Sequence, residues 1–213
     1  KCGGAVTAFP YKVGFEEEEG YQFAYSNPIM PECIASKVLG TQNYRLVPYK
    51  VADNVHSGEQ CLYILASQPT YSKTYISSFA FPETIIPEEN TYEFTIWAKV
   101  SKEGSYNSSK DSVEVFYNTK SQVVDSNAVK IGVFKPTATY ARYDVTLPAA
   151  GSQYVIIKAW ANNGMVFFDD MSIRKIPSCF PVENVRVSET GLDTARIAWD
   201  TKNDGASYHV VLT

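Results

Sequence analysis

Apolar and polar residues alternate along most of this chain with a period of two. In "TYEFTIWAKV" (91–100), Tyr92, Phe94, Ile96, Ala98 and Val100 fall on one face, and Glu93, Thr95, Trp97 and Lys99 on the other. "DSVEVFYNT" (111–119), "ARYDVTL" (141–147) and "QYVIIKAW" (153–160) alternate in the same way, and "EQCLYILAS" (59–67) and "TYISSFAF" (74–81) are two further candidates. Successive strand residues point to opposite faces, so this alternation predicts half-buried strands. Apolar residues at helical spacing are not sustained anywhere, and Pro, Gly, Ser and Asn interrupt most windows. Short strands joined by turn-rich segments predict an all-β, two-sheet antiparallel sandwich.

The pattern changes after "KIPSCFP". From Val182 the chain predicts strands at 183–188, 194–199 and 207–212, separated by "ETGLD" and "DTKNDGA". A proline-led first strand, Trp199 closing the second and Tyr208 in the third resemble the opening of a fibronectin type III module. Three strands cannot close a seven-stranded sandwich. The expected organisation is therefore a domain over 1–176 and an incomplete fibronectin type III-like segment over 177–213, cut from a longer chain.

Composition supports a real core: 45% of the 213 residues are hydrophobic, 20% are charged, and fifteen are tyrosines. A net charge of -4 without a basic stripe argues against nucleic acid as a partner. No apolar run approaches the roughly 20 residues needed to cross a bilayer as a helix. Cys2, Cys33, Cys61 and Cys179 lack metal-ligand spacing. They fit disulfides of an exported protein, with Cys33–Cys61 stapling a long loop and Cys2–Cys179 tying the domain ends, or else four buried thiols.

Catalytic signatures are missing: there is no nucleophile elbow, P-loop or zinc-protease motif. A nucleophilic serine or cysteine needs a base, and His56, in a turn, reads as a solvated or packing residue. The conspicuous chemistry is "GMVFFDDMSI" (164–173), where Asp169 and Asp170 interrupt an apolar strand. Burying an unpaired carboxylate costs several kcal/mol, so the pair needs a cation or donors. By strand geometry only one of the two can face inward. The second acidic run, "VGFEEEEGY" (13–21), could bring Glu16 or Glu18 to them, a hard-oxygen set suited to calcium.

"FPYKVGFEE", "MPECIA" (30–35), "HSGEQCLYI" (56–64), "FTIWAKV" (94–100), "YVIIKAW" (154–160) and "VFFDDMSI" (166–173), in this order, resemble the MAM-like jelly-roll modules of secreted bacterial surface proteins. These are the cleaved adhesin, or choice-of-anchor J, domains. The resemblance spans about residues 7–176 and implies a jelly roll with a structural Ca²⁺ between the first and last strands. Glu16 and Asp169 are then the preferred ligands, with Glu18 and Asp170 as alternates, and Cys2–Cys179 just outside the ion. The family often has tryptophan where Ile34 stands, which departs from its usual packing there.

If the alternating apolar sets face the core, Trp97, Lys99, Glu114, Phe116, Asn118, Lys158 and Trp160 point outward. Such a face is an expected ligand-binding platform, with aromatic rings to stack on sugars and polar groups to fix hydroxyls. The competing expectation is that the loops 27–56 and 101–111 fold over these aromatics as a second small core. The expected function is a non-catalytic adhesion or carbohydrate-binding module, secreted or on a bacterial surface. Its partners would be a glycan or host surface protein and the further domains of its own chain. A structural spacer and a glycoside hydrolase are the alternatives.

Overall fold

The computed structural model describes residues 3–24, 27–39, 46–50, 52–65, 74–101, 112–162, 165–178 and 182–201. The chain divides into two compact units, 1–175 and 176–213. Among the described residues no helix is long and apolar enough to cross a membrane.

The first unit is built from β1 (Tyr11–Val13), β2 (Ala35–Val38), β3 (Val47–Tyr49), β4 (Cys61–Leu65), β5 (Thr74–Ala80), β6 (Thr84–Ile86), β7 (Tyr92–Val100), β8 (Ser112–Asn118), β9 (Val129–Phe134), β10 (Ala141–Leu147), β11 (Gly151–Asn162) and β12 (Met165–Lys175). One antiparallel sheet runs β10-β7-β12-β4-β3, with β1 also on β12; the other runs β2-β5-β11-β8-β9, with β6 also on β11. The two pack as the predicted jelly-roll sandwich. Phe94, Ile96, Ala98 and Val100 of β7 meet Val113, Val115, Val155, Ile157 and Ala159 in one continuous core. Full burial of each large side chain is worth about 1.5–3 kcal/mol, so the alternation seen in the sequence supplies the main driving force.

Six of the strands of this unit follow predicted runs closely, and β12 occupies the run that carried the acid pair. Five others were not predicted. β1, β3 and β6 have three residues each and β2 has four. β9 is interrupted by Gly132, and a Cβ there would lie 2.9 Å from Val145 Cγ2 of β10. The glycine lets β9 approach β10, where Phe134 stacks on Tyr143.

Strand β12 holds the centre of its sheet. Along one edge it pairs with β7. Along the other, residues 165–168 pair with β4 and residues 171–173 with β1. The acid pair therefore falls at the seam between β4 and β1. The register against β7 also slips there: Asp169 opposes Trp97 and Ser172 opposes Thr95. Two residues on β12 thus span one on β7, a β-bulge, and Asp170 has φ +44. The bulge restores Met171 and Ile173 to the core side beside Phe168.

In the second unit, β13 (Glu183–Thr190) and β14 (Ala195–Asp200) form an antiparallel hairpin. The predicted strand 207–212, with Tyr208, lies outside the described residues. Cys33 is disulfide-bonded, but not to Cys61, which is a free, fully buried thiol. The expected Cys33–Cys61 staple is thus not formed, because Cys61 opens β4 against the sheet; Cys2 and Cys179 lie outside the described residues.

Candidate functional site: a tryptophan groove beside an acid-anchored loop

The acid pair answers to the segment that leads into β4. Asp169 is fully buried; its Oδ2 accepts the backbone N–H groups of His56 (2.7 Å) and Ser57 (3.2 Å), and its Oδ1 accepts that of Asp170 (2.8 Å). Asp170 Oδ2 lies 2.6 Å from His56 Nδ1, and its Oδ1 accepts the Ser57 hydroxyl at 2.8 Å. Neither aspartate enters the core, because the bulge relaxes the strict alternation that predicted one inward residue. Burial raises the Asp169 carboxyl and the three amides pull it down; burial wins and the group is pushed up to about 6.

Glu16 reaches the same segment. Its Oε1 accepts from Glu59 N (3.0 Å) and Gln60 N (3.3 Å). Its neighbours behave differently: Glu19 turns back to accept from Gly14 N and Glu16 N, while Glu17 and Glu18 are exposed in a 3₁₀ turn. So three of the four expected calcium ligands gather on 56–60, and Glu18 does not. Among the described residues no group of three or more His, Cys, Asp or Glu side chains is placed to hold a metal ion. As arranged, backbone hydrogen bonds meet the charge of Glu16 and Asp169.

The anchored segment lies against the outer face of the β7 sheet. The His56 ring stacks on Trp97 with centroids 4.0 Å apart, and its edge faces Tyr140. Lys99 Nζ donates to Asp53 O at 2.8 Å and Tyr140 Oη donates to Asn54 O at 2.6 Å. Lys99, expected to bind ligand, is committed to this anchorage; burial lowers its pKa, and it also lies over the Tyr140 and Phe167 rings.

Beside that segment the sheet face is open. Trp97, Thr95, Arg142, Ser172, Arg174 and Asp170 line a groove of about 300 Å³ that extends to Lys12 on β1. Register explains the gathering: Arg142 opposes Trp97, Ser172 opposes Thr95 and Lys12 opposes Ser172. Thr95 and Ser172 share a hydrogen bond at 2.6 Å. At one end Glu93, 8% exposed at its side chain, lies 2.7 Å from Arg174 Nη2 and 3.5 Å from Arg142 Nη2. Chemically this is an aromatic ring bordered by hydroxyls and guanidinium forks. Ser57 Oγ bonds to Asp170 and not to the imidazole, so the Asp170–His56 pair does not activate that hydroxyl as a nucleophile.

The expected single platform is divided. Trp97 and Lys99 belong to the β7 sheet, whereas Phe116, Lys158 and Trp160 belong to the other. All five point outward as predicted, but two outward faces of a sandwich look in opposite directions. On the second face Phe116 is nearly buried with Ala80 and Ile156 against Val124 and Ala128. Lys158 sits 3.1 Å from Glu114 and 4.7 Å from the Trp160 ring centroid, so those groups are engaged with one another. Asn118, also read as outward, is buried and ties the following turn by bonds to Val123 O and Asp125. Arg142, Arg174, Thr95 and Ser172 were missed as site residues. The outward parity of Thr95 was legible, but the pairing that sets it beside β10 and β12 was not.

No model of a known protein family matches the sequence, and no curated protein matches it either. Among solved structures, the K1 cleaved adhesin domain of Lys-gingipain from Porphyromonas gingivalis W83 is similar with a TM-score of 0.57. It is 14% identical, over 80% of this chain and 100% of that domain. The chain has the cleaved-adhesin fold. The K3 cleaved adhesin domain from the same organism agrees at TM-score 0.57 and 16% identity, covering 77% of this chain and 96% of that one. The K2 cleaved adhesin domain of Lys-gingipain gives 0.53 and 10%, over 76% and 98%.

Proposed function

We propose that residues 1–175 form a non-catalytic extracellular binding module that takes a glycan in the groove beside Trp97. The observation that carries this reading is the juxtaposition of Trp97 with Thr95, Ser172, Arg142 and Arg174 in an open groove of about 300 Å³. A tryptophan edge and face offer apolar surface to a pyranose, and the surrounding donors and acceptors suit its hydroxyls. His56 holds one face of the indole, so the ring is set in place before a ligand arrives. The similarity to adhesin domains supports a secreted or surface location and a role in attachment, with the rest of the parent chain as covalent partner.

The test is a glycan array with the chain as it stands, together with Trp97→Ala and Trp160→Ala. Binding that is lost in Trp97→Ala and kept in Trp160→Ala is the expected result. Silence across the array with both variants folded would leave the module as a spacer or a protein-binding adhesin.

A further inference from the structure

A second pocket, of about 260 Å³, lies beside β1; among the described residues it shares only Lys12 and Val13 with the groove. Val6, Pro31 and Ile34 give it apolar walls, and Tyr11, Glu19 and Tyr21 bring it polar atoms. The walls are fastened: Val6 exchanges backbone hydrogen bonds with Glu83 and Ile85, and Ile34 N donates to Pro31 O. Tyr21 is 2% exposed and packs edge-on against Phe15. Among the described residues its hydroxyl has no hydrogen-bond partner, yet Gln153 Oε1 is the one side-chain nitrogen or oxygen there that is both sealed and unbonded. The Tyr21 hydroxyl therefore opens onto the pocket that its residue lines.

Glu19 is half-buried. The N–H groups of Gly14 and Glu16 donate to its carboxylate, but no Lys, Arg or His is paired with it among the described residues. Burial holds this carboxyl above its ordinary range despite the amides, so its charge is incompletely met. Lys12 also borders the pocket, but alternation along β1 turns its side chain to the face opposite Tyr11 and Val13. Burial, and after it the charge of Glu19, pushes the Tyr11 hydroxyl up to about 12, so the carboxylate and this ring are neighbours. We infer that this pocket takes a primary alkylammonium group, such as the end of a lysine side chain. The ammonium pairs with Glu19 and donates to the Tyr21 hydroxyl, with Tyr11 as an aromatic wall and Val6, Pro31 and Ile34 against the methylene stem. A lysine of a partner protein and a free amine share this chemistry. The site does not depend on the glycan reading of the groove.

The experiment is an NMR titration of the ¹⁵N-labelled chain, following the Gly14 and Glu16 amides that bond to Glu19. The probes are Nα-acetyl-lysine amide, n-butylamine and Nα-acetyl-norleucine amide, the last with a similar stem and no ammonium. Saturable shifts are expected with the lysine amide, which should bind at least about tenfold tighter than the norleucine amide. Glu19→Gln should remove that difference, and Tyr21→Phe should weaken lysine amide binding about threefold or more. Because Glu19 also caps the 17–19 turn, Tyr21→Phe is the cleaner variant: it keeps the ring and leaves the bonds of Glu19 in place. Binding of butylamine but not of the lysine amide keeps the ammonium site and assigns it to free amines. Equal affinity for the lysine and norleucine amides overturns the inference, as does the absence of saturable shifts with every amine. Lysine amide binding undiminished in both variants, with both folded, places the ammonium elsewhere and overturns the site.

Discussion

Substituting Gly58 by alanine tests whether carboxylates clamp the segment that flanks the groove. Gly58 has φ +64, a conformation that costs an alanine about 1 kcal/mol. A Cβ at this position would also overlap Glu16 Oε1 and lie 2.7 Å from Glu16 Cδ. Glu16 could swing away, but Oε1 would then leave the amides of Glu59 and Gln60. Two charge-assisted bonds in a half-buried setting contribute about 2 kcal/mol together, so Gly58→Ala should cost about 3 kcal/mol. Gly151 provides the control: its φ is +90, and nothing lies within 4 Å of an added Cβ. Gly151→Ala should therefore cost only the backbone part, about 1 kcal/mol. Urea unfolding of Gly58→Ala, Gly151→Ala, Glu16→Ala and the Glu16→Ala/Gly58→Ala pair reads both contributions. With Glu16 removed, Gly58→Ala should cost about as little as Gly151→Ala, a coupling of about 2 kcal/mol. Equal costs for the two glycines, or strict additivity in the pair, would refute the clamp.

Other expectations follow from the same geometry. The Asp169 carboxyl titrates near 6 when folded and near 3.8 unfolded, so its protonated form stabilises the fold; that contribution is whole below pH 3.8 and lost as pH rises through 6. Relative to Asp169→Asn, the wild type should lose about 3 kcal/mol between pH 3.5 and 7 in urea melts, and a flat difference would mean that the amides match the burial. Chelation with EDTA should leave the melting temperature within about 1 °C, since amides meet these carboxylates; a fall of several degrees would show that a cation displaces them. Gly132→Ala should cost about 2 kcal/mol through its clash with Val145, measured by thermal melting, and Val145→Ala in the same chain should relieve part of that loss.

The long strands were legible because alternation over seven or more residues, as in β7 and β11, leaves only one face for the core. Three-residue strands such as β1 and β6 cannot display a period, and β9 hides its own behind Gly132, whose role is set by Val145 on a different strand. Outward parity was also legible: Trp97, Lys99, Lys158 and Trp160 all leave the core. Parity relates a residue to the core of its own sheet and carries no information about which of two sheets a strand joins. The single aromatic platform failed for that reason.

The acid pair teaches the more specific point. Its unsuitability for a core strand could be read locally, but its partners could not, since His56 and Ser57 are more than a hundred residues away in sequence. One signal was nevertheless on the page of the sequence itself. Val166 and Phe168 keep the period of two, then Met171 and Ile173 resume it one residue late, which is how a bulge inserts into an apolar pattern. Reading the extra residue would have released both aspartates from the core. The same insertion governs the groove. Past Asp170 it sets Met171 and Ile173 inward, and therefore Ser172 and Arg174 outward, beside Thr95 and Glu93. Were the strand to run through Asp170 without the bulge, Asp170, Ser172 and Arg174 would face the core and the two apolar side chains would face water. The bulge that accommodates the carboxylates is thus also what keeps the polar side chains of this half-buried strand on its outer face.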